Sequence, residues 1–209
     1  MKPVAESFCT IIAGQWNPNI FKPDWVKSNL AKDQNKPVEI AFPIGDPSLP
    51  PRVHFDDVFI FPSQSRLDIR VERSTKENLV STTEAAVKCL ELLTHTPVSA
   101  LGINVAFSSN TADADSIVKL FSFEDDARID SGEFKLQEAE IKRSFKFNDY
   151  TLNLAVSYNA TDVKIDFNFN FESRTAQEAI QHIQKNPANE LYDRAVGFLK
   201  TTYDLEIEA

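Results

Sequence analysis

The residues of this chain best suited to chemistry are His54, Asp56 and Asp57, which share one short apolar segment. Alternate residues of a β-strand point to the same side, so a strand here would present His54 and Asp56 together. An imidazole beside carboxylates can ligate a metal ion or exchange a proton with a substrate. One alternative function is therefore a metal-dependent or small-molecule enzyme with its site near these residues. The competing interpretation is a solvated strand face beside a β-bulge at Asp57.

A second set of polar residues alternates with large apolar residues in two segments of the second half. Asparagine is disfavoured in strands, so its recurrence there is unusual. Short amides on an open sheet can hydrogen-bond a ligand, a peptide or another sheet without burying a charge. We predict that this polar sheet face is a binding surface, the alternative being a solvated face without a partner. Its residues are Thr151, Asn153, Ser157, Lys164, Asp166, Asn168 and Asn170.

Motifs of common cofactor and catalytic sites are absent from the sequence. Its five glycines form neither a phosphate-binding loop nor a nucleophile elbow. Cys9 and Cys89 lack metal-ligand spacing and are interpreted as reduced core thiols. The acidic stretch Glu124-Asp125-Asp126 with Asp130 lacks the spacing of a calcium-binding loop and is interpreted as a solvated loop. We therefore expect no cofactor and favour a non-catalytic protein.

The charge balance argues against nucleic-acid binding. The chain carries 31 acidic and 22 basic residues, a net charge of −9. Proteins bind phosphate backbones chiefly by neutralising them with lysine and arginine. The densest basic stretch is Lys142-Arg143 with Lys146, and Glu138 and Glu140 dilute it, so the sequence reveals no local basic patch.

The segment composition predicts a cytoplasmic protein with no membrane association. The first six residues lack the apolar region of a signal peptide, because Glu6 follows early. No apolar run approaches the ~20 residues that a membrane-spanning helix needs.

The same element order, β-α-β-β-β-α, is predicted for residues 1–96 and for residues 97–209. An offset of 100 matches Glu72 and Thr75 with Glu172 and Thr175. Residues nearer the start of each half match at an offset of 92 instead, and a net insertion of eight residues in the second half would account for the difference. An internal repeat of this kind determines the architecture of a fold. At the offset of 92 the matches are Ser7, Ile11, Val26 and Lys27 with Ser99, Ile103, Val118 and Lys119.

Local sequence patterns predict where the individual strands, turns and helix starts lie. Residues 53–61 are predicted to form one strand, and residues 134–147 a long strand with a bulge, or two strands. Turn residues at 148–149 and 159–161 predict antiparallel hairpins. The longer helices are expected to begin at two capping boxes, Ser74-x-x-Glu77 and Thr175-x-x-Glu178.

These elements predict an α+β fold in which duplicated units form a curved antiparallel sheet with helices packed on one face. We favour one long sheet and a single globular unit of two halves, the alternative being two separate sheets. The element order resembles the saddle of TATA-binding proteins. None of that family's residue motifs occurs here, so no functional residue is carried over.

The sequence thus favours a non-catalytic interaction protein that binds a protein partner or its own copy. An open sheet has edges that must be protected or paired, which agrees with this hypothesis. The enzyme near His54 is one alternative, and a saddle-like nucleic-acid binder is the other.

Overall fold

The computed structural model describes residues 1–43, 50–123 and 136–208. The predicted acidic loop at 124–130 and residues 134–135 of the predicted long strand lie outside these ranges. The strands are β1 (Lys2–Pro3), β2 (Cys9–Gly14), β3 (Glu39–Ala41), β4 (Arg52–Phe55), β5 (Val58–Pro62), β6 (Arg66–Val71), β7 (Val98–Asn110), β8 (Glu138–Lys146), β9 (Thr151–Asn159) and β10 (Asp162–Glu172). The helices are α1 (Pro23–Asn29), α2 (Lys76–Leu92), α3 (Asp115–Val118), α4 (Ala176–Lys185) and α5 (Ala188–Tyr203).

All ten described strands belong to one antiparallel sheet, so the expected α+β class and the single sheet are confirmed. Its order is β3-β4-β5-β6-β2-β7-β10-β9-β8, and β1 pairs with β7 beside this path. β2 and β7 lie at the centre, where their pairing joins the strands of the first part of the chain to those of the second.

The alternation of buried and exposed residues along the strands shows which side of the sheet the helices cover. Every second residue of β10, including Phe167, Phe169 and Phe171, is almost fully buried. α2 packs against β2 and β6, and α4 and α5 pack against β7. A buried hydrogen bond of 2.7 Å between the hydroxyls of Thr10 and Thr82 ties α2 to the central strand. The opposite side of the sheet, made by the intervening residues, is called the open face below.

The prediction of one strand over residues 53–61 is wrong. β4 and β5 form a hairpin in which Phe55 pairs directly with Val58 across a two-residue turn. Asp56 has a φ of 49°, a left-handed conformation that aspartate tolerates better than most residues. The sequence lacks the glycine that usually marks such a turn, so its alternating apolar residues suggest a single strand.

The start of α2 is one residue later than predicted. Thr75, not Ser74, is its N-cap, and the Thr75 hydroxyl accepts a hydrogen bond of 3.2 Å from the Asn78 backbone N–H. The predicted cap of α4 is confirmed, because the Thr175 hydroxyl accepts from the Glu178 N–H at 3.1 Å.

The first half differs from the predicted element order. Four strands, β3 to β6, separate α1 from α2, because the segment predicted as one strand forms the β4-β5 hairpin. The ungapped match of Ile11 with Ile103 is also wrong for the sheet. Ile11 pairs with Gly102 on the open face, whereas Ile103 pairs with Thr10 on the helix-covered side.

Gly14 occupies a position where a side chain does not fit. The register of β2 and β7 shifts between Ala13 and Gly14, and a Cβ atom at Gly14 would lie 2.3 Å from the Pro97 carbonyl oxygen. That oxygen already accepts a hydrogen bond of 2.9 Å from the Gln15 N–H, so it cannot move freely.

We predict that Gly14→Ala lowers the free energy of unfolding by roughly 2–3 kcal/mol, the scale of core overpacking. Gly197→Ala is the matched control, because nothing lies within 4 Å of a Cβ there and the residue is inside α5. That control should raise stability by up to about 1 kcal/mol through helix propensity. Urea unfolding of both variants is the measurement, and equal stabilities would contradict the proposed clash.

Candidate binding surface on the open sheet face

The registers of the sheet align one residue from each of nine strands into a row across the open face. At about 4.8 Å between neighbouring strands, this row is about 38 Å long. From β8 to β3 its members are Ser144, Asn153, Asn168, Asn104, Cys9, Arg70, Phe59, His54 and Glu39. The first four are polar and uncharged, whereas the far end of the row combines charged and aromatic side chains.

The polar end of the row is a chain of side-chain hydrogen bonds, called the amide row below. Ser144 donates to the Asn153 amide oxygen at 2.8 Å. Asn153 donates to Asn168 at 3.0 Å, and Asn168 donates to Asn104 at 2.7 Å. An amide nitrogen carries two N–H donors, and those of Asn153 and Asn168 each use one in the row, whereas Asn104 donates to the Cys9 backbone carbonyl at 3.4 Å. The amides are thus held in place while donors and lone pairs remain for a ligand.

Gly102 provides the space that the amide row needs. A Cβ atom at this position would lie 3.0 Å from the Asn168 amide nitrogen and 3.6 Å from that of Asn104. A larger residue would therefore push against the hydrogen bond between these two asparagines.

The other end of the face carries three arginines, two of which flank one buried carboxylate. Arg52, Arg66 and Arg70 come from β4 and β6 and are called the arginine cluster below. Asp68 is only 3% exposed, although it belongs to the open face. Arg66 Nε lies 3.1 Å from its Oδ1, and Arg70 Nη2 lies 3.4 Å from its Oδ2. A buried carboxylate needs such compensation, and here two guanidinium groups share it.

Two phenyl rings support the arginine cluster. The Arg52 guanidinium carbon lies 5.0 Å from the centre of the Phe59 ring, and that of Arg70 lies 5.1 Å from the centre of Phe61. The His54 ring stacks on Phe59 with a centroid distance of 4.4 Å. The two distances from arginine to ring are in the range of cation–π contacts. A guanidinium lying over a ring keeps N–H groups at its edge, which suit carboxylate or phosphate oxygens.

Buried polar atoms without a hydrogen-bond partner concentrate around this cluster. The described residues contain five such side-chain atoms, and three of them are His54 Nε2, Arg70 Nε and Asp68 Oδ1. Asp68 Oδ1 is within ion-pair range of Arg66 but is not aligned for a hydrogen bond. Unsatisfied buried polar atoms are uncommon in folded proteins, and here most of them mark the arginine end of the open face.

All seven residues of the predicted binding surface lie in β9 and β10 on the open face. Their cross-strand pairs include Asn153 with Asn168 and Ser157 with Lys164. The geometry therefore brings the predicted set together, and its role in binding stays a prediction. The remaining members are arranged as follows: Thr151 pairs with Asn170, and Lys164 forms a 2.8 Å ion pair with Asp166.

The three residues of the predicted metal or acid–base site do not share a face. His54 is in β4, 3.9 Å from the Glu39 carboxylate, whereas Asp56 and Asp57 form the turn. Asp56 accepts a 2.8 Å hydrogen bond from the Lys32 backbone N–H. Within the described ranges, no three His, Cys, Asp or Glu side chains are placed to hold a metal ion. The expected pairing of His54 with Asp56 on one strand is thus corrected.

The arginine cluster and two members of the amide row were not predicted from the sequence. No local basic patch was expected, yet Arg52 joins Arg66 and Arg70 on one face. The alternation of Arg66 and Arg70 was a visible signal, but the position of Arg52 depends on the unpredicted hairpin. Asn104 and Ser144 join the row through pairings with distant segments.

Comparison with known proteins assigns no family, since no family model, no curated protein and no solved structure matches this chain. None of the described helices has the length and apolarity of a membrane span. The function therefore has to be argued from the geometry of the open face.

Both cysteines are free and buried, as expected of core thiols. Burial raises the pKa of Cys9 to about 11 despite the nearby Arg70 guanidinium, and it raises the pKa of Cys89 to about 12. Neither thiol is therefore a thiolate near neutral pH, and neither is activated as a nucleophile.

We predict a loss of stability at alkaline pH that depends on Cys89. Above pH 9 the unfolded chain releases the thiol proton and the folded chain retains it, until pH reaches the folded pKa of about 12. The free energy of unfolding should fall by about 1.4 kcal/mol per pH unit for each such thiol. Urea unfolding between pH 8 and 11 should therefore give a shallower decline for Cys89→Ala than for wild type. Parallel declines would show that the thiol does not contribute.

We also predict that Asp68→Asn destabilises the fold by roughly 2 kcal/mol. The value is below the 3–5 kcal/mol of fully buried pairs, because both guanidinium groups still contact water. Asp166→Asn is the matched control on the same face, where the exposed pair with Lys164 should contribute less than about 1 kcal/mol. Thermal and urea unfolding measure both changes. A smaller effect at Asp68 than at Asp166 would contradict the role given to the buried carboxylate.

Proposed function

We propose that this chain is a non-catalytic binding protein that docks a protein partner on its open sheet face. The observation that carries the proposal is the continuous row that joins the amide row to the arginine cluster. Aromatic residues and arginine are enriched in protein interfaces and supply much of their binding energy. Preformed amide donors add directional contacts without the cost of burying a charge.

The dimensions of the face suit a protein partner. A row of about 38 Å, crossed by strands of about 20 Å, gives roughly 760 Å². This is close to the ~800 Å² that each partner contributes to an interface of standard size. The charge of the arginine cluster favours a partner that presents carboxylates.

Nucleic acid fits the same face less well. Arg52 and His54 contact Phe59, and Arg70 lies over Phe61, so these rings offer little free surface for stacking with bases. Three arginines, two of them paired with Asp68, also neutralise few phosphates, whereas the whole chain carries a charge of −9.

We also infer that the two halves arose by internal duplication. Thr75 and Thr175 cap helices after β6 and β10, and they lie 100 positions apart. At that spacing Arg70 corresponds to Asn170, whose partner in β7 is Gly102. Cys9 is the β2 partner of Arg70 and would correspond to Gly102 on the same face. This assignment supports a local two-fold axis at the central pair of β2 and β7.

The duplication would explain why the face has two chemistries. The positions of Arg66, Asp68 and Arg70 in β6 correspond to those of Asp166, Asn168 and Asn170 in β10. One copy would have kept an ionic arrangement and the other an amide arrangement. Two such different halves favour a partner of unlike sequence over symmetric self-association.

The experiment compares partners bound by tagged wild type and by variants of the face. Wild type should retain a stoichiometric protein partner, and Arg52→Ala with Asn168→Ala should reduce its recovery at least tenfold. Lys200→Ala is the control, because this exposed lysine lies on α5, on the helix-covered side of the sheet. Circular dichroism checks that each variant is folded.

Four results would contradict this proposal of an unlike protein partner. A partner retained equally by all variants would place binding elsewhere. A strict monomer in light scattering without any face-dependent partner would remove its support. A salt-sensitive gel shift with a single-stranded oligonucleotide, abolished by Arg52→Ala, would identify nucleic acid as the ligand instead. A dimer broken by the face variants would identify the chain's own copy as the partner.

A further inference from the structure

A second candidate site lies on the helix-covered side of the sheet, away from the open face. It is a pocket of about 200 Å³ between α5 and the β9-β10 hairpin. Its walls are almost entirely apolar, with one charged residue, Arg194, among them. The lining residues are Phe147, Tyr150, Leu152, Phe167, Phe169, Arg194, Ala195 and Phe198.

Aromatic contacts hold the walls of this pocket. Phe147 stacks on Tyr150 with a centroid distance of 4.8 Å, and Tyr150 meets Phe169 edge-on at 5.5 Å. Phe198 contacts Phe167 at 5.8 Å from the side of α5. The small side chain of Ala195 faces these rings and leaves the space unfilled. Phe147 is 42% exposed, so the pocket has an apolar residue at its mouth.

Arg194 places an available cation beside the apolar space. Its Nη1 donates a 3.0 Å hydrogen bond to the Tyr150 hydroxyl, which orients the guanidinium along the wall. In the part of the chain that the structure describes, the ion pairs do not include Arg194. A guanidinium has five N–H donors, so most of its donors are free to bind an anion.

We propose that this pocket binds a small carboxylic acid with an apolar body, either an aromatic ring or a medium-length alkyl chain. An apolar cavity of about 150 Å³ admits benzene, so about 200 Å³ accommodates a ring with a short side chain or a chain of roughly eight carbons. The apolar body fills the space between the aromatic walls. The carboxylate accepts charge-assisted hydrogen bonds from Arg194, whose planar group matches it in geometry.

The test is calorimetric titration of the full chain with four probes: phenylacetate, octanoate, phenylacetamide and phenethylamine. At least one of the two acids should bind, with a dissociation constant on the order of 10 µM to 1 mM for ligands of this size. The neutral amide should bind at least tenfold more weakly than its acid, because it lacks the charge-assisted contact. The cationic amine should not bind.

The variant Arg194→Gln tests whether the guanidinium is responsible for the preference for the acid over the neutral amide. The residue is exposed, so the variant should fold, and it should lose at least tenfold in affinity for the acid. Lys200→Gln is the matched control, with the same loss of charge on the same helix and no role in the pocket lining. Its affinity should equal that of wild type.

Filling the pocket tests the apolar part of the site. Ala195→Leu should abolish binding of the acid, and a thermal unfolding curve shows whether this variant folds. No binding of either acid by wild type would overturn the proposal, as would equal affinities for acid and amide. An unchanged affinity in Arg194→Gln would do so even if Ala195→Leu failed to fold. The open face contributes no residue to the pocket, so these results are independent of the proposed partner docking.

Discussion

The antiparallel pairing of β2 with β7 is the interaction on which the other features of the molecule depend. It places Cys9 beside Asn104 and thereby joins the arginine cluster of β4 and β6 to the amide row of β7, β8, β9 and β10. Strand side chains alternate with a period of two, so a slip of one residue in this pair would turn Asn104 toward the helices. Thr10 holds β2 in place for this pairing, because its buried hydroxyl is bonded to Thr82 of α2. The helix layer thus helps to fix the register that creates the open face.

The two ends of the open face solve the same physical problem in different ways. Polar groups in the middle of a sheet lose water, and they must be compensated by neighbours. In β6 the compensation is ionic, with Asp68 buried beneath Arg66 and Arg70. In β10 it is neutral, with Asn168 bonded on both sides. The ionic arrangement leaves a local positive charge in a chain of net charge −9, which is why composition alone misjudged this surface.

The features that the sequence predicted are those set by local pattern. Alternation in β10 correctly identified both its buried phenylalanines and its open-face asparagines, and Thr175 marked the start of α4. The β4-β5 hairpin was missed, because its turn depends on a left-handed Asp56 rather than on a glycine. The row across the open face could not be predicted from the sequence, because Asn104 and Cys9 become neighbours only when segments 95 positions apart pair. The pocket at Arg194 could not be predicted from the sequence for the same reason, because its walls come from α5 and from a distant hairpin.

β10 contributes side chains to two surfaces on opposite sides of the sheet. Phe167 and Phe169 line the pocket, and Asn168, between them in sequence, belongs to the amide row. The strand is paired along its length with β7 and β9, so its backbone is held from both edges. A shortened side chain on one face therefore leaves the backbone, and the groups on the other face, in place. The effects of Asn168→Ala and Arg194→Gln on the free energy of unfolding should consequently add, because the two positions share no partner. A strong deviation from additivity in the double variant would mean that the backbone of β10 moves and transmits changes from one face to the other.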